Sequence, residues 1–146
     1  IVHHEIKYKA EVIREYGELP RVECIPSQLN QVFMNLLVNA AQAIDAHGTI
    51  TVRTGAEGDQ VWVEIRDTGT GIPPEVRERM FDPFFTTKPV GQGTGLGLSL
   101  SYGIVQKHRG RIEVQSEPGQ GSAFRVWVPM QRPPAVAEPK TGQAGP

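Results

Sequence analysis

Asp67-Thr68-Gly69-Thr70-Gly71 is the stretch that decides how this chain reads. It follows a run rich in Val and Ile, 60–66, so the carboxylate stands where a strand gives way to a turn. A carboxylate in that place accepts a hydrogen bond from an amino group. Adenine offers one at N6, whereas guanine carries a carbonyl there, and two acceptors repel. Gly69 and Gly71 remove side chains, so a flat base can approach the backbone. Taken alone, the stretch reads first as a plain Asp-Gly turn. The residues at fixed distances on either side reverse that reading.

Upstream lies an amphipathic helix. Ser27 is placed to cap it, and Leu29, Val32, Phe33, Leu36, Leu37, Ala40 and Ile44 recur at the spacing of one buried face. Gly48 stands at a position that suits a helix stop. Beside the apolar face runs a polar stripe of Gln31, Asn35, Asn39 and Gln42. Asparagine is a poor residue for a helix interior, so two of them one turn apart call for a reason beyond solvation. A carboxamide oxygen is a hard, neutral ligand suited to Mg²⁺, which keeps several waters and takes phosphate oxygens as well.

Downstream come Phe81-Asp82-Pro83-Phe84-Phe85 and then Gly93-Thr94-Gly95-Leu96-Gly97-Leu98. The segment 82–94 is too long for a mere connector and reads as a functional loop or lid. Its phenylalanines read equally as core residues or as anchors of that lid. Lys88 reads either as a point charge for phosphate or as an uninvolved surface lysine. The glycines lead into a second helix, 96–108, with Leu100, Ile104, Val105 and His108 on one side and Gly110 as its stop. Unpaired N–H groups at such a helix start make an anion site. No Gly-Lys-Ser or Gly-Lys-Thr follows, so this is not a P-loop. The glycines follow a loop and not a strand, which excludes a Rossmann turn.

These four stretches, in this order, resemble the N, G1, F and G2 boxes of the ATP-binding domain of sensor histidine kinases, over residues 9–130. The resemblance implies the Bergerat or GHKL fold, Mg-ATP as ligand, and a γ-phosphate presented to a histidine on a separate dimerisation domain. It implies Mg²⁺ binding by Asn39 and an adenine contact by Asp67, with Ser122 near the same edge. It extends the nucleotide site to Asn35, Ala43, Gly69, Gly71, Ile72, Lys88, Gly93, Thr94, Gly95, Leu96, Gly97 and Leu98. The upstream phosphoacceptor domain and a response regulator are the implied protein partners. The spelling Asn-Ala-Ala-Gln-Ala at 39–43 is similar to the nitrogen-regulatory branch. Gln42 departs from the basic residue or histidine often found there. The alternative is an ATPase switch of the same superfold, like the gyrase, Hsp90 and MutL families. Those place a glutamate at the position of Asn35, and an amide is no general base near neutral pH.

The rest of the chain fits one α+β domain of two layers, a mixed sheet covered on one face by helices. Strand signals cover 10–16, 22–25, 49–54, 60–66, 111–116 and 123–128, with a short helix over 75–80. A hairpin turns through 55–59, and Pro118-Gly119-Gln120-Gly121 joins the last two strands. Across 146 residues the net charge is −1, which offers no basic surplus for nucleic acid. No run suits a membrane span, and no direct membrane contact is expected. The single cysteine, Cys24, excludes an internal disulfide and reads as structural, in keeping with a cytoplasmic protein. The chain opens at Ile1 without methionine, which suggests a piece of a longer protein. Residues 1–9 read as a linker from an upstream domain, and His3 and His4 as part of it; the phosphoacceptor is expected elsewhere. Residues 131–146 read as a disordered tail.

Overall fold

A computed structural model describes residues 10–17, 22–45, 47–83, 85 and 97–131. Strands β1 (Ala10–Tyr16), β2 (Gly48–Glu57), β3 (Gln60–Asp67), β4 (Arg111–Ser116) and β5 (Ser122–Pro129) form one sheet in the order β1-β2-β3-β5-β4. β1 lies parallel to β2, and every other neighbour pair is antiparallel. The helices are α1 (Pro26–Ala43), α2 (Pro74–Arg77) and α3 (Gly97–Lys107). This is the mixed-sheet α+β sandwich that the sequence pattern implies.

Strand alternation sorts the sheet into two faces. Ile50 of β2, Val61 and Ile65 of β3 and Phe124, Val126 and Val128 of β5 join Val32, Leu36, Ala40 and Ala41 of α1 and Val105 of α3 in one core. Burying a side chain such as Leu36 contributes roughly 1.5–3 kcal/mol. The opposite face carries no helix among the described residues, yet it is not simply wetted. Trp62 and Trp127 are direct cross-strand partners with ring centroids 6.4 Å apart. The Trp127 indole N–H donates to Glu113 at 2.8 Å, and Arg111 and Arg125 lie over its ring. Glu64 is buried beneath three arginines: Arg125 bonds one carboxylate oxygen at 2.9 Å, while Arg53 and Arg66 approach the other at 3.7 and 3.5 Å. Those two longer contacts lack hydrogen-bond geometry, so the second oxygen is held by charge alone.

Several local expectations give way. Residues 22–25 are not a strand; Glu23 donates to the Met130 carbonyl, and the segment leads straight into α1. Ser27 does not cap α1. Ile25 is the N-cap residue and makes no side-chain cap bond, because Pro26 at the first turn presets the backbone without needing a donor. Gly48 does not stop α1, which ends at Ala43 when Ile44 turns extended and buries its side chain; Gly48 opens β2 opposite Ala10. The first hairpin is tighter than 55–59. Its ladder runs through Gly55 and Ala56, and only Gly58 and Asp59 turn, with Gly58 at φ +62°. The short helix spans Pro74–Arg77, not 75–80.

α3 is rolled by one residue from the expected face. Leu100 is 53% exposed, while Ser101, Val105 and His108 are buried. His108 fastens both helices: its Nε2 accepts the Ile25 N–H at 3.1 Å, and its Nδ1–H donates to Ile104 at 2.9 Å. The two contacts select the neutral tautomer with the proton on Nδ1. Past the helix, Arg109 adopts φ +60°, and Gly110 leaves room for the Trp127 carbonyl. Gly103 has no such reason. It is exposed in mid-helix, and a methyl group there would meet nothing within 4 Å. Gly103→Ala is therefore expected to stabilise the fold by about 0.5–1 kcal/mol in urea denaturation. An unchanged or lowered midpoint would contradict this reading of the helix.

Candidate nucleotide site

Asp67, the last residue of β3, pairs across the sheet with Ile50 and Ser122, and Ser122 pairs with Ser116. This row ends the sheet on the helix-covered side. Asp67 is 3% exposed, and one carboxylate oxygen accepts the Gly69 N–H at 2.8 Å. Burial pushes its pKa above the ordinary 3.8, partly offset by the backbone N–H groups of Gly69 and Ser122. The Ser122 hydroxyl lies 3.0 Å from that of Ser116, which in turn accepts the Ile72 N–H at 2.7 Å. A buried acceptor therefore sits at the sheet's end, held by backbone donors.

The glycine turn is stitched into three neighbours. Thr70 donates to the Ala43 carbonyl at the end of α1. Thr68 exchanges bonds with Thr49 at the start of β2, and Gly119 donates to the Thr70 carbonyl from the β4–β5 turn. A methyl group on Gly69 would strike the Ala43 carbonyl; one on Gly71, which has φ +78°, would strike that of Glu117. The glycines are thus required by close approach of the protein's own backbone, a reason that residue type and spacing do not display. Gly121 repeats the pattern, with φ +90° and the Asp67 carbonyl in the way. The sequence places that residue only in a turn.

On α1, Asn35, Asn39 and Ala43 follow at four-residue steps along one line. Its two ends lie about 12 Å apart. At one end Ala43 touches the Asp67 turn. At the other, the Asn35 amide donates to the Gly97 carbonyl at 3.0 Å and to the Ser101 hydroxyl at 3.2 Å. Asn39 sits midway, half-buried, with no side-chain hydrogen bond to any described residue. One turn on, the Gln42 side-chain oxygen is buried and without a partner among the described residues. The arrangement brings together a buried acceptor, a glycine turn, an uncommitted amide and a helix start. Leu98 packs against the core. Lys88, Gly93, Thr94, Gly95 and Leu96 lie outside the described residues, as do Phe84, His3 and His4. Phe81 packs on the core and against Tyr102, with centroids 5.4 Å apart; Phe85 lies under Arg79.

Residues 24–132 match the family model of the histidine kinase-, DNA gyrase B- and HSP90-like ATPases. The chain belongs to this ATPase family. Within it, the chain stands with the ATP-binding catalytic domains of sensor histidine kinases. Sensor histidine kinase ZraS of Escherichia coli is 43% identical over 112 residues, covering 77% of this chain and 24% of that protein. Sensor kinase CckA of Brucella abortus is 46% identical over 117 residues, covering 70% of this chain and 12% of that one. The chain therefore spans a quarter or less of these curated relatives. Among solved structures, the catalytic domain of histidine kinase ThkA superposes with a TM-score of 0.77 at 31% identity, over 90% of this chain and 89% of that one. Full-length ShkA, solved with AMPPNP, superposes at 0.77 with 27% identity, over 92% of this chain and 29% of that one. For this kinase-type ATPase domain, no described helix is long and apolar enough to cross a membrane.

Proposed function

We propose that this domain holds Mg-ATP and presents the γ-phosphate to a histidine on a separate dimerisation domain of the same parent protein. The observation that carries the reading is the buried Asp67 carboxylate on the same wall as Asn39, joined to it through Ala43 and the glycine turn. In this reading Asp67 takes the adenine amino group, with Ser122 at its side. Gly69, Gly71 and Ile72 border the base. Asn39 faces the phosphates, and the start of α3 with Gly97 and Leu98 receives their charge. Lys88, Gly93, Thr94, Gly95 and Leu96 complete that end. The residues fit a divalent ion delivered with the nucleotide. Among the described residues no trio of His, Cys, Asp or Glu is placed to hold a metal, and Asn39 offers one hard amide oxygen. Bound Mg²⁺ would neutralise charge building on the phosphates. The domain itself positions the phosphoryl group; the nucleophile comes from outside, and a response regulator receives the group next. A cytoplasmic site of action follows from that partner chemistry. Asn35 disfavours the ATPase-switch alternative, because an amide with both N–H groups committed to α3 cannot activate water.

The test uses γ-labelled ATP. The chain alone should bind ATP, keep no acid-labile label and release phosphate slowly; adding the parent's dimerisation domain should place label on that domain. Asn39→Ala should fold normally and weaken ATP binding at least tenfold in Mg²⁺, with little change in EDTA, by calorimetry. Stable label on His3 or His4, or rapid phosphate release, would overturn the reading; parent-like Mg²⁺ dependence in Asn39→Ala would remove that residue from the site.

A further inference from the structure

The geometry points to Asn35 as a positioning residue that clamps the start of α3 to α1, and not as a contact to nucleotide or metal; this rests on the nucleotide reading above. The orientation of its amide is fixed. The Gly97 carbonyl can only accept, so the group 3.0 Å from it must be the NH₂. The second N–H reaches Ser101, whose hydroxyl donates onward to the same Gly97 carbonyl at 2.9 Å. Asn35, Gly97 and Ser101 thus close a three-membered ring of hydrogen bonds around the first turn of α3. Ser101 is fully buried while Asn35 and Gly97 are half-buried, so this ring lies at the edge of the helix contact. The Asn35 oxygen accepts from Gln31 at 2.8 Å, one turn back along α1 and away from Asn39.

The consequence is geometric. Asn39 and the start of α3 come from different parts of the chain, and a nucleotide held between them needs their separation fixed. Asn35 is one turn from Asn39 on α1 and bonds the first residue of α3 directly. It is the shortest described polar link between the two. Asparagine suits the task because it delivers two donors on a short stem. Aspartate would set a carboxylate against the Gly97 carbonyl, and leucine would remove the donor that ties both Gly97 and Ser101 to α1, leaving only their bond to each other. The same link explains why Ser101 occupies a buried helix position where periodicity favours Leu100.

Three variants of this chain test the role: Asn35→Ala, Ser101→Ala and the pair. Hydrogen exchange is read at the Ser101 and Tyr102 amides without nucleotide, and ATP affinity is read in Mg²⁺ and in EDTA. Each single change should speed exchange at those amides and weaken ATP by about tenfold, equally with and without Mg²⁺. The double variant should be no worse than Asn35→Ala, because both changes open one ring. Loss confined to Mg²⁺ in Asn35→Ala, with Ser101→Ala binding as the parent does, would make Asn35 a metal contact and overturn the proposal. Parental affinity with only a lowered melting temperature would reduce the ring to a stability element and overturn it too. If Asn35→Ala fails to fold, Ser101→Ala decides alone: metal-independent weakening supports the role, parental binding refutes it. A parent chain that binds no ATP overturns the nucleotide reading itself, and the positioning role with it.

Discussion

Gly71→Ala is expected to destabilise the domain by about 2–5 kcal/mol. Two terms add. Gly71 has φ +78°, and an L side chain in that region costs roughly 1–2 kcal/mol. The added methyl also meets the Glu117 carbonyl and the Pro118 backbone. Backbone atoms cannot rotate away as a side-chain tip can, so the overpacking term of about 1–3 kcal/mol stays. Gly119 provides the control: φ is +82°, yet a methyl group there meets nothing within 4 Å. Gly119→Ala should carry the conformational term alone. Urea denaturation of both variants separates the two contributions. Equal losses would mean that the Asp67 turn yields where the packing says it cannot.

Asp67→Asn should abolish the preference for ATP over GTP and at the same time raise stability above the folded pKa of Asp67. The Gly69 N–H fixes one oxygen of residue 67. In the asparagine variant that bond keeps the carbonyl oxygen in place, so the NH₂ group turns toward the base. A donor then faces the N6 amino group of adenine, while the O6 of guanine gains a partner. Loss of a charged hydrogen bond of about 1.5–3 kcal/mol weakens ATP roughly ten- to a hundredfold. The stability effect has the opposite sign. Burial raises the pKa of Asp67 in the folded state above 3.8, so the native protein holds this proton more tightly than the unfolded chain. The carboxyl's contribution is intact below 3.8 and is lost as pH rises through the folded value. Above the folded value the parent carries a buried charge that the Asp67→Asn variant lacks, and there the variant should melt higher. The gap should close as pH falls toward 3.8. Thermal melts across pH, with ATP and GTP titrations at pH 7, check both halves. A variant that melts lower above the folded value would show that the Gly69 and Ser122 donors outweigh burial.

The Asp67 turn, the Asn35/Asn39 spacing and the glycine-rich helix start are legible as chemistry before any fold is known. They depend on residue type and local spacing, which a linear chain displays directly. The Val22-Glu23-Cys24-Ile25 run misleads for the same reason. It has the apolar content of a strand, but its N–H groups find Met130 and His108 instead of a neighbouring strand. Propensity reports what a segment can do; a partner decides what it does.

By itself, then, the sequence determined the class of fold, the position of α1, the strands of the sheet and the chemical kind of ligand, through periodicity and the order of four motifs. Only the tertiary structure decided what each polar side chain is for. Asn35 and Asn39 look alike in the sequence, yet one is spent on Gly97 and Ser101 while the other has no described partner. Gly69 and Gly71 suggest room for a base, yet their missing methyl groups make way for the carbonyls of Ala43 and Glu117. The Trp62–Trp127 pair joins strands far apart in the chain, and the three arginines around Glu64 come from three different strands. Hydrogen bonds and close packing act over a few ångströms, and which groups come that close is settled by how the sheet and helices assemble, not by neighbours in sequence.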